Sequence, residues 1–288
     1  MASLAHTLAL LAMTMAVTAI KVVPLDMAWD SFDDRYQGCR PAMTAALPAL
    51  NRSEFQKNPL FARVWVKAAV ALQRRRPRLS PLSSVQATAI MAYTMDDLHS
   101  VFNDAMHEAG RSLQEYRHTF HYKTLHFLLT DALATLRESF TRAMQCNDVF
   151  QQVCGVQFRA QRGQSVRFGE FRSMSLSKPT GQCSGKETLF QVLTCHSEYI
   201  GTFSEDPGTR GVLIPPFETF KVTEVTQKGN KAVIKLSSAG TYNKYNCEWL
   251  KYDTTEGQPG GGSVSIAPFH LGGLLLVTTA LAVATGIL

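Results

Sequence analysis

Few residues in this chain stand in an arrangement that does chemistry by itself. His107, His118, His121 and His126 fall on or beside helical segments, where an imidazole is more often a packed or surface group than a base. Glu205-Asp206 has the makings of a carboxylate pair for acid–base work, but adjacent carboxylates in a Pro-Gly loop are usually just solvated. Lys123-Thr124 lacks the glycines that let a phosphate loop wrap its ligand. No GxSxG elbow, HExxH helix or GxGxxG turn is present. The basic run Arg74-Arg75-Arg76-Pro77-Arg78 is expected to be a solvated loop rather than a phosphate or heparin patch. Cys39, Cys146, Cys154, Cys183, Cys195 and Cys247 show neither CxxC nor Cys/His ligand spacing, so no metal is expected.

The composition bounds what could position such groups. At 45% apolar and 18% charged residues, the 288-residue chain can bury a core, which excludes wholesale disorder. A net charge of +6 is compatible with acidic partners, but no zinc-knuckle or RNP spacing accompanies it, and no nucleic-acid partner is expected.

Both termini have the composition of processing signals. Residues 1–19 carry no charge and run from an apolar stretch into Val17-Thr18-Ala19, as in a cleaved secretory signal. Near the other end, Pro259-Gly260-Gly261-Gly262-Ser263 precedes a spacer and an uncharged tail, Leu271–Leu288. That is the pattern of a glycosylphosphatidylinositol attachment signal, which predicts a propeptide over 263–288 and a mature domain over 20–262. Membrane contact would then be through the lipid anchor alone, at the extracellular face, with a secreted form as the alternative. In that oxidising compartment an even cysteine count favours disulfides, although spacing does not choose the pairing. Asn51-Arg52-Ser53 fits an exposed N-glycan site.

Within the mature chain the pattern is helical to about residue 145 and strand-rich from about 147. Asn58-Pro59 predicts the start of a helix over Leu60–Leu72. Thr94 is expected to cap a helix that runs to His107 and closes at Gly110. Leu125, Leu128, Leu129, Leu133 and Leu136 form one face of a helix over Lys123–Phe140. Strands are predicted at Val149–Val153, Ser165–Ser177, Thr188–Cys195, Val212–Ile214, Phe220–Val225, Ala232–Leu236 and Tyr245–Lys251. Gln227-Lys228-Gly229-Asn230 makes a hairpin of two of them. Helices first and strands second predict an α+β fold with helices packed on a mainly antiparallel sheet.

Five segments narrow the function: FDDRYQGC from Phe32, FNDAMHEAGRS from Phe102, KTLHFLLTDA from Lys123, VLIPPFETFKV from Val212 and YNCE from Tyr245. Together they closely resemble the vertebrate arginine-directed mono-ADP-ribosyltransferase ectoenzymes, over nearly the whole mature chain. The resemblance implies an NAD-binding core of that type, with helices packed on the sheet. It also implies disulfides Cys39–Cys247 and Cys146–Cys195, leaving Cys154 and Cys183 as either a third bridge or free thiols. Active members split the nicotinamide–ribose bond of NAD, used as co-substrate, and pass ADP-ribose to an arginine on a protein acceptor. The transition state is oxocarbenium-like and needs a carboxylate near the ribose and donors for the diphosphate. The family supplies an arginine on the first strand of the sheet, a Ser-x-Ser serine, and a Glu-x-Glu directly before VLIPP.

The carry-over to this chain is uneven. Ser173-Met174-Ser175 keeps the serine motif, with Ser173 at the catalytic position. Gln151 stands where the family has arginine, and Thr209 and Gly211 stand where it has the two glutamates. Gln151 brings no charge to the diphosphate, and Gly211 brings no carboxylate to the ribose. Losing one such electrostatic partner commonly costs about 10²–10³ in rate, so weak or absent turnover is expected. Glu205 would reach the ribose only if its loop shifted. The competing expectation is a non-catalytic extracellular binding protein on the same fold.

Overall fold

The computed structural model describes residues 21–75, 81–139, 146–181 and 183–251. The expected signal (1–19), anchor propeptide (263–288) and the Arg76-Pro77-Arg78 part of the basic run lie outside the described residues. An edge strand β1 (Lys21–Pro24) leads into the helices α1 (Arg40–Lys57), α2 (Pro59–Arg75), α3 (Ser84–Tyr93), α4 (Asp96–Ala109), α5 (Leu113–His118) and α6 (Lys123–Ser139). The strands follow: β2 (Asn147–Cys154), β3 (Val156–Arg159), β4 (Ser165–Arg167), β5 (Arg172–Ser175), β6 (Glu187–Thr194), β7 (Glu198–Tyr199), β8 (Gly211–Ile214), β9 (Glu218–Lys228) and β10 (Lys231–Thr241). The α+β arrangement is the one the sequence predicts.

Helix starts are set by capping, some of it local and some not. Asn58 Oδ1 accepts the Phe61 N–H at 3.0 Å, with Pro59 at the first helical position, and α2 begins there as expected. Ser83 and Gln86 form a reciprocal capping box at α3. At α6 the cap comes from another helix: the Glu54 carboxylate of α1 accepts the N–H groups of Lys123 and Thr124 at 2.6 and 2.9 Å. Burial raises the Glu54 pKa above the ordinary carboxylate value. Burial likewise lowers Lys123 to about 8.

Three expectations about the elements are corrected. Thr94 does not open α4; it is the C-cap of α3, its hydroxyl bonded to the Met91 carbonyl, and Met95 is the N-cap of α4. The segment Ser165–Ser177 is two strands rather than one, because Gly169 takes a left-handed backbone (φ 71°) between β4 and β5. Tyr245–Lys251 is not a strand: Cys247 adopts φ 59° and Glu248–Lys251 turns helically, although the residue types favour extension. Asp34 explains this, since its carboxylate accepts the N–H groups of both Cys247 and Glu248.

The main sheet runs β4-β9-β10-β6-β2-β5-β8-β7, antiparallel except between β6 and β10, while β1 pairs in parallel with β3. The expected hairpin is β9–β10, turning at Gly229 (φ 57°). One joint in the sheet is slight: β2 meets β5 only at the pair Phe150–Ser175. Two apolar cores flank the sheet. One lies among the helices and takes in Phe171, Leu213 and Tyr245; the other, within the curl of the sheet, gathers Val149, Met174, Phe190, Val212 and Ile214.

Three disulfides staple the chain: Cys39–Cys247, Cys146–Cys195 and Cys154–Cys183. The last joins the end of β2 to the β5–β6 connection, so neither cysteine is a free thiol. The first links residues 208 apart, and loops of that size stabilise most in the chain-entropy model. Asn51, expected to be an exposed glycan site, lies inside α1, half-buried and with its side-chain oxygen shielded.

Candidate functional site

The positions singled out in the sequence converge on the slight joint of the sheet. Ser173 and Ser175 sit on β5, opposite Leu213 and Gly211 of β8. Pleating alternates their neighbours: Met174, Val212 and Ile214 enter the core within the sheet, while Leu213 enters the helical core. Ser173, Ser175 and Gly211 therefore share the face turned toward the helices. Thr209 closes a short 3₁₀ turn, Pro207–Thr209, and Arg210 follows with a left-handed backbone (φ 48°) before β8 begins.

Gln151 on β2 touches this group through the main chain, its Nε2 donating to the Ser173 carbonyl at 3.3 Å. Its other end is also engaged, the side-chain oxygen accepting from Arg172 Nε at 2.6 Å. Arg172 is paired in turn with Glu170, whose second carboxylate oxygen lies 3.4 Å from His107 Nε2. Burial alone would raise the Glu170 pKa, but the His107 hydrogen bond and the Arg172 charge outweigh it and hold the carboxyl below its usual value. Sequence reasoning did not single out Arg172 or Glu170. The available signal was the spacing Glu170-Phe171-Arg172-Ser173, which puts two opposite charges two residues apart at the entry to the Ser-x-Ser strand.

Helices α3 and α4 hold β5 in place. The hydroxyl of Tyr93 and the side-chain amide of Asn103 both donate to the Phe171 carbonyl. His99 of α4 packs at a tilt against Tyr93, with ring centroids 5.0 Å apart, and burial lowers its pKa. The loop bearing Glu205 is anchored through its main chain. Arg75 of α2 donates to the Ser204 and Glu205 carbonyls, and the Glu205 N–H reaches the Thr94 hydroxyl at 2.9 Å.

The remaining histidine of note is structural. His126 is fully buried among Phe32, Phe120 and Phe171, bonds the Tyr36 hydroxyl through Nδ1 at 2.8 Å, and is lowered by burial to about 3. Among the described residues no group of three or more His, Cys, Asp or Glu is placed to hold a metal ion.

Chemically, the joint offers serine hydroxyls on its helix-facing side, where Gly211 brings no side chain, and a neutral amide and a guanidinium over the Phe168 and Phe190 rings of the other core, with the Glu170 carboxylate at the strand entry. A dinucleotide could be bound here by hydrogen bonds and one cation. Stabilising a positive ribose ring would need a carboxylate that the β8 position does not supply.

The NAD:arginine ADP-ribosyltransferase family model matches residues 25–244 of the chain. The chain is 47% identical to the erythroblast NAD(P)(+)–arginine ADP-ribosyltransferase of Gallus gallus over 244 residues, covering 83% of this chain and 80% of that protein. It is 44% identical to the GPI-linked NAD(P)(+)–arginine ADP-ribosyltransferase 1 of Homo sapiens, covering 80% of this chain and 75% of that protein. Among solved structures it is similar to the eucaryotic mono-ADP-ribosyltransferase ART2.2, with a TM-score of 0.66 and 31% identity over 78% of this chain and 98% of that one. Variants of ART2.2 have been crystallised in complex with NADH and with NAD.

Proposed function

The chain belongs to the NAD:arginine ADP-ribosyltransferase family, and from that premise we propose that it is a lipid-anchored cell-surface member with weak or absent transfer activity. One observation carries this reading: β8 opens on Gly211, directly across from Ser175 of the Ser-x-Ser strand, where the family resemblance calls for a glutamate. Splitting the nicotinamide–ribose bond builds positive charge on the ribose, and no side chain projects from that position to meet it. Ser173 and the surrounding strands are retained, which supports NAD as the ligand. Incubation with labelled NAD and an arginine-rich acceptor should give little label transfer. Robust transfer, abolished by Ser173→Ala, would overturn the inactive reading. NAD-independent capture of an extracellular protein by a chain that does not bind NAD would favour the second reading, a binding protein on this fold.

The placement at the membrane is supported by relatives that are named GPI-linked and by the composition of residues 263–288. No helix among the described residues is long and apolar enough to cross a membrane. With residues 1–19 removed as a signal and 263–288 as a propeptide, the mature domain is 20–262. Phosphatidylinositol-specific phospholipase C should release the protein from intact cells. Retention on the membrane, with residues 271–288 found in the mature chain by mass spectrometry, would show that the anchor is peptide rather than lipid.

A further inference from the structure

The cation that β2 lacks stands one strand away. Arg172 Nε donates to the Gln151 side-chain oxygen at 2.6 Å, so a guanidinium occupies the tip of the residue-151 side chain, directly before Ser173 in the chain. Beneath it lie the rings of Phe168, Phe190 and Phe158, at 5.1, 5.7 and 5.8 Å from Cζ. These aromatic faces attract the cation and hold it poorly hydrated in one place. Nη1 is taken by Glu170, whereas no protein hydrogen bond to Nη2 is seen among the described residues.

We infer that Arg172 is the residue that holds the diphosphate of NAD in this chain, with Glu170 competing against it; the inference rests on the NAD-using reading above. A planar guanidinium with its position already set can pair two phosphate oxygens at once, which a neutral glutamine amide cannot match. To do so it must release the Glu170 carboxylate from Nη1. Glu170 has a second partner to keep, His107, which is 38% exposed at the rim and 3.4 Å from its other oxygen. Binding is therefore attenuated by Glu170 rather than lost.

The test is NAD affinity, not turnover, measured by calorimetry on the mature protein with its disulfides intact. Arg172→Met should weaken NAD at least about tenfold and Glu170→Gln should tighten it about tenfold, the size expected for gaining or losing a charge-assisted bond. Adding Gln151→Arg to Arg172→Met should recover binding. A purely structural ion pair predicts a different pattern, in which both single variants weaken binding and thermal stability together. If wild type binds NAD and Glu170→Gln binds no more tightly, the assignment to Arg172 is overturned while NAD use stands. That comparison decides the matter even if Arg172→Met fails to fold. If neither wild type nor Glu170→Gln binds NAD, the NAD-using reading falls along with it.

Discussion

Asp33→Ala is expected to cost this fold about 3–5 kcal/mol, the range for stranding one half of a buried ion pair. Asp33 and Arg167 are both completely shielded from solvent and paired with each other. Arg167 further donates to the carbonyls of Met27, Ala28 and Tyr242, and its guanidinium packs on the Tyr242 ring. The other Asp33 oxygen accepts the N–H groups of Lys244 and Tyr245, at 2.8 and 3.1 Å. Alanine would leave a buried cation with only carbonyl partners and two buried N–H groups with none. Denaturant unfolding with the disulfides intact should show a lowered midpoint and an unchanged slope. Removing both charges in Asp33→Ala/Arg167→Met should recover part of the loss, because the stranded cation is gone. A loss below about 1 kcal/mol for Asp33→Ala would mean that the pair is no stronger than a surface ion pair.

Restoring the family residues should restore chemistry in combination and not one at a time. The triple variant Gln151→Arg/Thr209→Glu/Gly211→Glu is expected to cleave NAD at least about 10²-fold faster than wild type, the usual worth of one transition-state electrostatic partner. Each single change should stay near the wild-type rate, since groups that act as a unit contribute non-additively. The backbone permits the change at Gly211, which is an ordinary strand residue paired with Ser175; the left-handed turn falls on Arg210 instead. Gln151→Arg brings a second guanidinium against Arg172, so the Thr209→Glu/Gly211→Glu double is the informative companion. If Arg172 already supplies the cation, the double should recover a measurable part of the triple's rate. A well-folded triple that neither binds nor cleaves NAD would show that the pocket has drifted beyond the substituted positions.

What was legible in the residues was mostly local. The Asn58-Pro59 start of α2, the leucine stripe of α6 and the β9–β10 turn each depend on neighbours a few positions apart. The break inside Ser165–Ser177 is not legible, because one glycine inside a β-rich run does not reveal its backbone sign. Nor is the helical turn within Tyr245–Lys251, which is imposed by Asp34 from more than 200 residues earlier. The cap of α6 was equally invisible, since Glu54 belongs to a different helix.

The segments that carry the family resemblance are largely those that tie the chain to itself. FDDRYQGC and YNCE meet through Asp33, Asp34, the Gln37–Asn246 amide pair and Cys39–Cys247. In VLIPPFETFKV, the buried Glu218 accepts from the Thr194 and Ser238 hydroxyls and from the Cys195 and His196 N–H groups. The residues alone therefore carry the family, the helices ahead of the main sheet, and the absence of charge at residues 151 and 211. Those are properties of residue types in order, readable without coordinates. It took the folded chain to show that Cys154 bonds Cys183, that Gly211 lies across from Ser175, and that Arg172 stands at the tip of Gln151. Those depend on which strands become neighbours, and strand pairing is set by burying two cores at once, which no local spacing encodes.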